Sequence, residues 1–233
     1  VRCGLDLIIE LPFCFAVRSA WYFARGAVNL LAQTGVVTHL AFGSESGDIN
    51  SLNAIASILA SEPDEFKSSL RSHLHKGLNY PAARSLALQD YISSTPNLEN
   101  LLMGPNNILG LEYLRVIKED CLPLIPFTIP RQGNFHDPVL GHFSSATAIR
   151  KSLEQNQSLQ QITPAMPKVC LTRLEKEISL GRAPVHTNAL EQAVFFQLRS
   201  RSTAQLQEIY EVTEGLENRL HNAAITSHTL EEL

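Results

Sequence analysis

Apolar residues in the first half of the chain come as short continuous runs separated by stripes at helical spacing. Residues 5–11 (Leu-Asp-Leu-Ile-Ile-Glu-Leu) form one such run, closed by Pro12. That is the pattern of a strand buried on both faces of a parallel sheet, with Glu10 at its carboxyl end. From Ser19 to Ala32 the apolar residues Trp21, Ala24, Val28 and Leu31 recur at spacings of three and four, ahead of Gly35. This predicts an amphipathic helix with Trp21 as a core anchor. Residues 36–42 are rich in β-branched side chains and predict a second strand, so strand, helix and strand make a βαβ unit. Residues 61–76 open with Ser-x-x-Asp and Pro63, carry a Phe66/Leu70/Leu74 stripe and stop at Gly77, which predicts a helix. His73 and His75 lie two apart on it, point away from each other and read as solvated, poor metal partners. A further helix spans residues 80–92, and another follows Pro105 with Leu109, Tyr113, Val116 and Ile117 on its stripe. Residues 124–129 predict a third strand.

From about residue 155 the texture changes. Gln and Ser dominate as far as Thr163, two prolines follow, and only amphipathic helical patterns come after, including a Ser202-x-x-Gln205 capping box. The pattern predicts an α/β domain with a parallel sheet over residues 1–155 and an incomplete all-helical domain over residues 156–233. The chain starts at Val1 beside a strand pattern and stops within a helical one, as a fragment of a longer protein would.

The composition adds exclusions. The 233 residues are 44% hydrophobic and 18% charged with a net charge of −4, so no global basic field draws nucleic acid, and RNA would need a local groove. Four scattered cysteines without a CxxC pair argue against a zinc site or a disulfide framework and fit a reducing cytoplasm. No apolar run has transmembrane length, so a membrane is not an expected partner, and without a basic field neither is DNA.

Three stretches can carry chemistry. In residues 144–150 (Ser-Ser-Ala-Thr-Ala-Ile-Arg), Ser144 or Ser145 can cap a helix with Ile149 and Leu153 on one face. Its free first-turn N–H groups, two hydroxyls and Arg150 suit either a phosphate cradle or an ordinary surface helix. Residues 42–48 (Phe-Gly-Ser-Glu-Ser-Gly-Asp) end a predicted strand; there Gly43 lets a ring or phosphate approach the backbone, or the segment is a plain turn with Asp48 as helix cap. It is not a GxGxxG fingerprint. In residues 104–110, Asn106 either caps a helix or reads an adenine edge or a ribose. Arg131, just past the third strand, is an anion ligand or a salt-bridge partner. His136 beside Asp137 is a weak acid/base pair, because adjacent side chains seldom face each other.

Gly4-Leu5-Asp6-Leu7-Ile8-Ile9-Glu10-Leu11-Pro12, Ala24-Arg25-Gly26-Ala27-Val28, Phe42-Gly43-Ser44-Glu45-x-Gly47-Asp48, Gly77-x-x-Tyr80-Pro81-Ala82-Ala83, Pro105-Asn106-Asn107-Ile108-Leu109-Gly110, Ser145-Ala146-Thr147-Ala148-Ile149-Arg150 and Gly215-Leu216-Glu217-Asn218-Arg219 follow one another in this order. Together they resemble the bacterial tRNA(Met) cytidine acetate ligases of the nucleotidyltransferase superfamily. The resemblance implies that the parallel sheet of the α/β domain is doubly wound, and a cytoplasmic enzyme that activates acetate with ATP, accompanied by Mg2+, and passes the acetyl group to N4 of the wobble cytidine of elongator tRNA-Met. It implies that Gly43, Asn106 and Arg131 contact ATP, while Ser145, Thr147 and Arg150 hold phosphates as the catalytic set, and it assigns no metal ligands. The family's Asn-Pro-Phe-His-x-Gly-His motif does not occur in these residues. It is expected upstream of Val1, which would leave this piece alone inactive or nearly so. A small-molecule adenylyltransferase could use the same Ser-Ala-Thr-x-x-Arg turn, but the helical tail argues against it. A non-catalytic RNA-binding module is disfavoured by the carboxylates that outnumber the cations after residue 156.

Overall fold

The computed structural model describes residues 4–92, 101–102, 104–131, 144–155, 159–186 and 188–233. The chain divides between residues 132 and 133 into two compact units. This division falls ahead of the compositional change near residue 156, so residues 144–155 group with the second unit.

In the first unit the elements run α1 (Phe13–Ala16), α2 (Ala20–Gln33), β1 (His39–Ser44), α3 (Ile49–Ser61), α4 (Asp64–His75), α5 (Tyr80–Tyr91), α6 (Pro105–Glu119) and β2 (Ile125–Pro130). Strands β1 and β2 pair in parallel, His39 opposite Ile125 and Gly43 opposite Ile129. Parallel neighbours require a long crossover, and helices α3 to α6 supply it. Side chains alternate along β1: Leu40, Phe42 and Ser44 are buried, while His39, Ala41 and Gly43 are exposed. Helix α6 is the hub and packs on α2, α3 and β1. Its Leu111, Leu114 and Val116 join Val28, Leu52, Ile55, Leu59, Phe66 and Leu88 in one core. Each such large side chain contributes about 1.5–3 kcal/mol by leaving water.

Several local expectations hold for visible reasons. Asp48 caps α3 by accepting from the backbone N–H of Asn50 and Ser51; the cap of α5, Asn79 accepting from Ala82 N–H at 3.0 Å, is not among those expectations. Gly77 has φ +85°, a backbone that stops α4 where a side chain would be strained. Other expectations need correction. Residues 5–11 are not a strand; Leu5, Leu7 and Ile8 are more than half exposed. An apolar run becomes a strand only when a neighbour takes up its N–H and C=O groups, and no described strand lies beside this one. The β strand expected from residue 36 starts at His39 because pairing with β2 begins there, Ile125 N–H donating to Thr38 O at 2.9 Å; Val36 is exposed. Trp21 is half-buried at the rim of a cavity rather than in the core. His73 is not solvated: its Nε2 lies 2.8 Å from Asp90, and its side chain is 14% exposed. Ser69 also donates to Asp90 at 2.5 Å, so the carboxylate ties α4 to α5.

The regular elements among the described residues of the second unit are all helical: α7 (Ala146–Glu154), α8 (Leu159–Ile162), a 3-10 turn (Thr163–Ala165), α9 (Lys168–Ser179), α10 (Asn188–Ser200), α11 (Thr203–Gln207) and α12 (Leu216–Thr226). The predicted capping box opens α11. Phe195, Leu198, Leu206 and Ala224 form a small core. Arg199 stacks 4.4 Å from the Phe195 ring and donates to Ala224 O and Ser227 O, both at 2.8 Å, satisfying carbonyls at the end of α12. No helix among the described residues is long and apolar enough to cross a membrane.

Candidate functional site

Three residues singled out from the sequence, Gly43, Asn106 and Arg131, meet at the carboxyl ends of β1 and β2. Open α/β sheets bind their ligands at such ends. Gly43 is the last residue but one of β1 and Arg131 follows β2 directly, its N–H donating to Ser44 O at 2.9 Å. A Cβ at Gly43 would stand 3.3 Å from Arg131 Cγ, so the missing side chain leaves the arginine room to lie across the strand end. Arg131 Nη1 donates to Asn106 Oδ1 at 3.1 Å.

Asn106 does not cap α6, one of the two roles its sequence position allows. Gly104 occupies the cap, Pro105 the first helical position and Asn106 the next. The cap comes from another element. Glu45, one residue beyond β1, presents its carboxylate to the start of α6. Oε1 accepts from Asn106 N–H at 3.1 Å and from Asn106 Nδ2 at 2.6 Å, and Oε2 accepts from Asn107 N–H at 2.7 Å. A carboxylate there also meets the positive end of the helix dipole. Burial pushes the Glu45 carboxyl up, but these hydrogen bonds outweigh it and hold the group below its ordinary range. Gly104 leaves room for this carboxylate: a Cβ would stand 2.4 Å from Glu45 Oε2, so Glu45 would have to move aside.

Beneath this layer Ser44 is fully buried. It accepts from Thr128 Oγ1 at 2.7 Å and from Gly47 N–H at 2.9 Å, and Ser46 N–H donates to Asn107 Oδ1 at 3.2 Å. Gly110 lets Phe42 pack against α6, since a Cβ would lie 2.6 Å from the ring. A chain of hydrogen bonds thus fixes the loop after β1, the start of α6 and the end of β2 against one another. The outcome is a guanidinium and a side-chain amide held side by side, a donor set suited to phosphate oxygens and to a base or ribose edge. Sequence reasoning misses Glu45. An acidic residue directly after a strand, followed much later by a Gly-Pro helix start with no capping side chain of its own, is the signal that could have found it.

The other candidate set lies in the second unit. Ser145 caps α7, accepting from Ala148 N–H at 3.0 Å, and Thr147 is half-buried in the first turn. Arg150 is exposed one turn further on. The cap geometry is the one the sequence implies. His136 and Asp137 lie outside the described residues. Among the described residues no group of three or more His, Cys, Asp or Glu side chains is placed to hold a metal ion.

Comparison with known proteins gives a consistent result. The tRNA(Met) cytidine acetate ligase of Syntrophomonas wolfei is 54% identical over 235 residues, which take in all of this chain and 56% of the relative. That of Acetivibrio thermocellus is 41% identical over 238 residues, all of this chain and 57% of the relative. The apo crystal structure of Thermotoga maritima TmcAL superposes with a TM-score of 0.93 at 34% identity, over 99% of this chain and 56% of that one. The same protein bound with alpha-thio ATP gives a TM-score of 0.91 at 35% identity, over 99% and 55%. The chain therefore spans a little over half the length of the relatives it matches. The HIGH Nucleotidyl Transferase profile matches residues 1–233, and the chain belongs to that family.

Proposed function

We propose that this chain is the nucleotide-handling part of an ATP-dependent tRNA(Met) cytidine acetate ligase. The observation that carries the reading is the meeting of Gly43, Asn106 and Arg131 at the carboxyl ends of two parallel strands, braced by Glu45. The names of the relatives and the ATP analogue in the TmcAL crystal structure support it. ATP with Mg2+ is the co-substrate. Asn106 and Arg131 orient the nucleotide, and the α7 turn with Ser145, Thr147 and Arg150 takes the phosphates.

In the first step an acetate oxygen attacks the α-phosphorus. The bond to the β-phosphate oxygen breaks, and acetyl-adenylate and pyrophosphate form. Charge accumulates on the phosphate oxygens, so guanidinium groups and helix N–H donors lower the barrier without covalent participation. In the second step N4 of the wobble cytidine in elongator tRNA-Met attacks the acetyl carbon. AMP departs, and the amine gives up a proton. The base has to be splayed out of the anticodon loop for this, as sequence-specific RNA recognition generally requires.

The test incubates unmodified elongator tRNA-Met with ATP and labelled acetate. It uses this chain alone and the same chain completed by the parts of the Syntrophomonas wolfei relative that lie outside the match. Label in the anticodon cytidine with the completed protein, lost on Arg131→Ala, is the expected result. Pyrophosphate release with transfer of the adenylyl group to another acceptor, and no label in the tRNA, would replace the reading with that of a small-molecule adenylyltransferase.

A further inference from the structure

Helix α4 has two unlike faces. Phe66 and Leu70 turn toward the core, Phe66 being 1% exposed. On the outside Lys67, Arg71 and His75 recur every four residues, and beside them Ser68, Ser72 and the C-cap Lys76 do the same. Residues four apart on a helix stand one above the other, about 6 Å apart. The six side chains therefore form two adjoining rows about 12 Å long. All are exposed except the half-buried Lys67. No carboxylate interrupts the rows. Asp64 and Glu65 lie in the first turn, and Asp90 of α5 is engaged by Ser69 and His73.

The fold itself makes no use of these groups. Other arginines of the same unit are committed: Arg84 donates to Glu112, Arg115 donates to Glu119 at 2.6 Å, and Arg25 lies 3.5 Å from Asp120. Serines of α3 turn back onto their own helix, Ser57 donating to Asn53 O at 2.9 Å and Ser61 to Ser57 O at 2.8 Å. Among the described residues, none pairs with the side chains of Lys67, Ser68, Arg71 or Ser72. The helix dipole favours cations in the last turn alone, so it accounts for His75 and not for Lys67 or Arg71.

The chemistry of the rows selects a partner. Lysine and arginine only donate, and hydroxyls donate freely. These are the side chains that contact the phosphate oxygens of a nucleic-acid backbone. A length of about 12 Å has room for roughly three phosphates of one strand. A membrane surface is a poorer match, because the apolar face that would enter it is the one packed into the core. The chain carries a net charge of −4, so RNA has to be met by a local concentration of cations, and α4 provides one.

We infer that the outer rows of α4 hold the phosphate backbone of the tRNA, fixing its position without reading its sequence. The inference rests on the ligase reading above.

The test follows elongator tRNA-Met binding and acetylation by the completed protein described above, with binding measured across a salt series. Lys67→Ala combined with Arg71→Ala should flatten the plot of log K against log salt by about 1.4–1.8, the share of two phosphate contacts. That corresponds to binding weaker by roughly 25- to 60-fold at 0.1 M salt. KM for tRNA should rise, while kcat, KM for ATP and the melting temperature stay unchanged. Lys67→Arg with Arg71→Lys keeps both charges and should restore the slope. Lys118→Ala, which removes a cation from α6, should leave the slope as it was. An unchanged slope in the double alanine variant of a protein that acetylates the tRNA would overturn the inference and leave the ligase reading standing; the rows would then face an acidic protein. An equal flattening in Lys118→Ala would also overturn it, since a general field would then act in place of a site. No acetylation by the unaltered completed protein would remove the ligase reading and the inference with it.

Discussion

Among the glutamates on or against helix α6, Glu45 and Glu112 are held in opposite ways. Glu45 reaches the start of the helix from the loop after β1, stands exposed, and has both oxygens engaged by N–H donors. Glu112 belongs to the helix itself, is buried, and leaves one oxygen without a hydrogen bond. The first arrangement is a satisfied scaffold that positions neighbours, and its own loss costs little because water can replace the missing contacts. The second keeps a charge in low dielectric with incomplete pairing, which folding tolerates only against a substantial opposing gain. Stability should therefore respond to Glu112 and nucleotide binding to the Glu45 corner, and substitutions can separate the two.

The largest effect is expected at the buried carboxylate. Glu112→Ala leaves Arg84 charged and unpaired, with its side chain only 16% exposed, and should cost about 3–5 kcal/mol in a urea unfolding titration. Pairing Glu112→Leu with Arg84→Met removes both charges and should recover most of that loss. Failure of the double variant to recover would mean that Glu112 holds the fold through contacts other than its charge. Next comes Gly110→Ala, whose Cβ meets the buried Phe42 ring at 2.6 Å. Overpacking there should cost about 1–3 kcal/mol, read as a lower melting temperature. Gly104→Ala looks worse on distance, 2.4 Å to Glu45 Oε2, yet the obstacle is the end of an exposed, flexible side chain. It should lower stability by less than about 1 kcal/mol while displacing Glu45 from α6. Weaker ATP binding with nearly unchanged melting is the expected signature.

These contrasts also explain what the sequence could and could not reveal. Gly43, Asn106 and Arg131 were legible because each ends or begins an element, and the topology of a parallel sheet gathers such ends on one side. Asp48 and Gly77 were legible because caps and stops act within a turn of their own residues. Residues 5–11 misled because an apolar run records burial preference alone, whereas a strand also needs a partner. Trp21 misled in the same way: a periodic aromatic signals an inward face without distinguishing core from cavity wall. Glu45 and His73 were missed because their partners, Asn106 and Asp90, are remote in sequence. Glu112 left a readable trace, a carboxylate at i+4 from Ile108 with Leu111 and Arg115 around it, where an amphipathic pattern calls for an apolar residue.

The smallest predicted effect bears on the exposed member of the pair. Three backbone and side-chain donors hold the Glu45 carboxyl below the ordinary glutamate value of 4.5. The folded protein therefore binds fewer protons than the unfolded chain as pH falls through 4.5, and the group's contribution to stability is complete above that value. It declines as pH drops through the lower, folded value. Glu45→Gln should thus be nearly neutral in melting below that range and slightly destabilising above pH 4.5. Asp48 and Asp90, also held low by their hydrogen bonds, act on the same acid limb and are unchanged in the variant, so the difference between the two pH–melting curves isolates Glu45. A constant offset at every pH would mean that the carboxylate acts through shape alone. An offset that appears only above pH 4.5 would place the charge, set against the first turn of α6, at the centre of what Glu45 does.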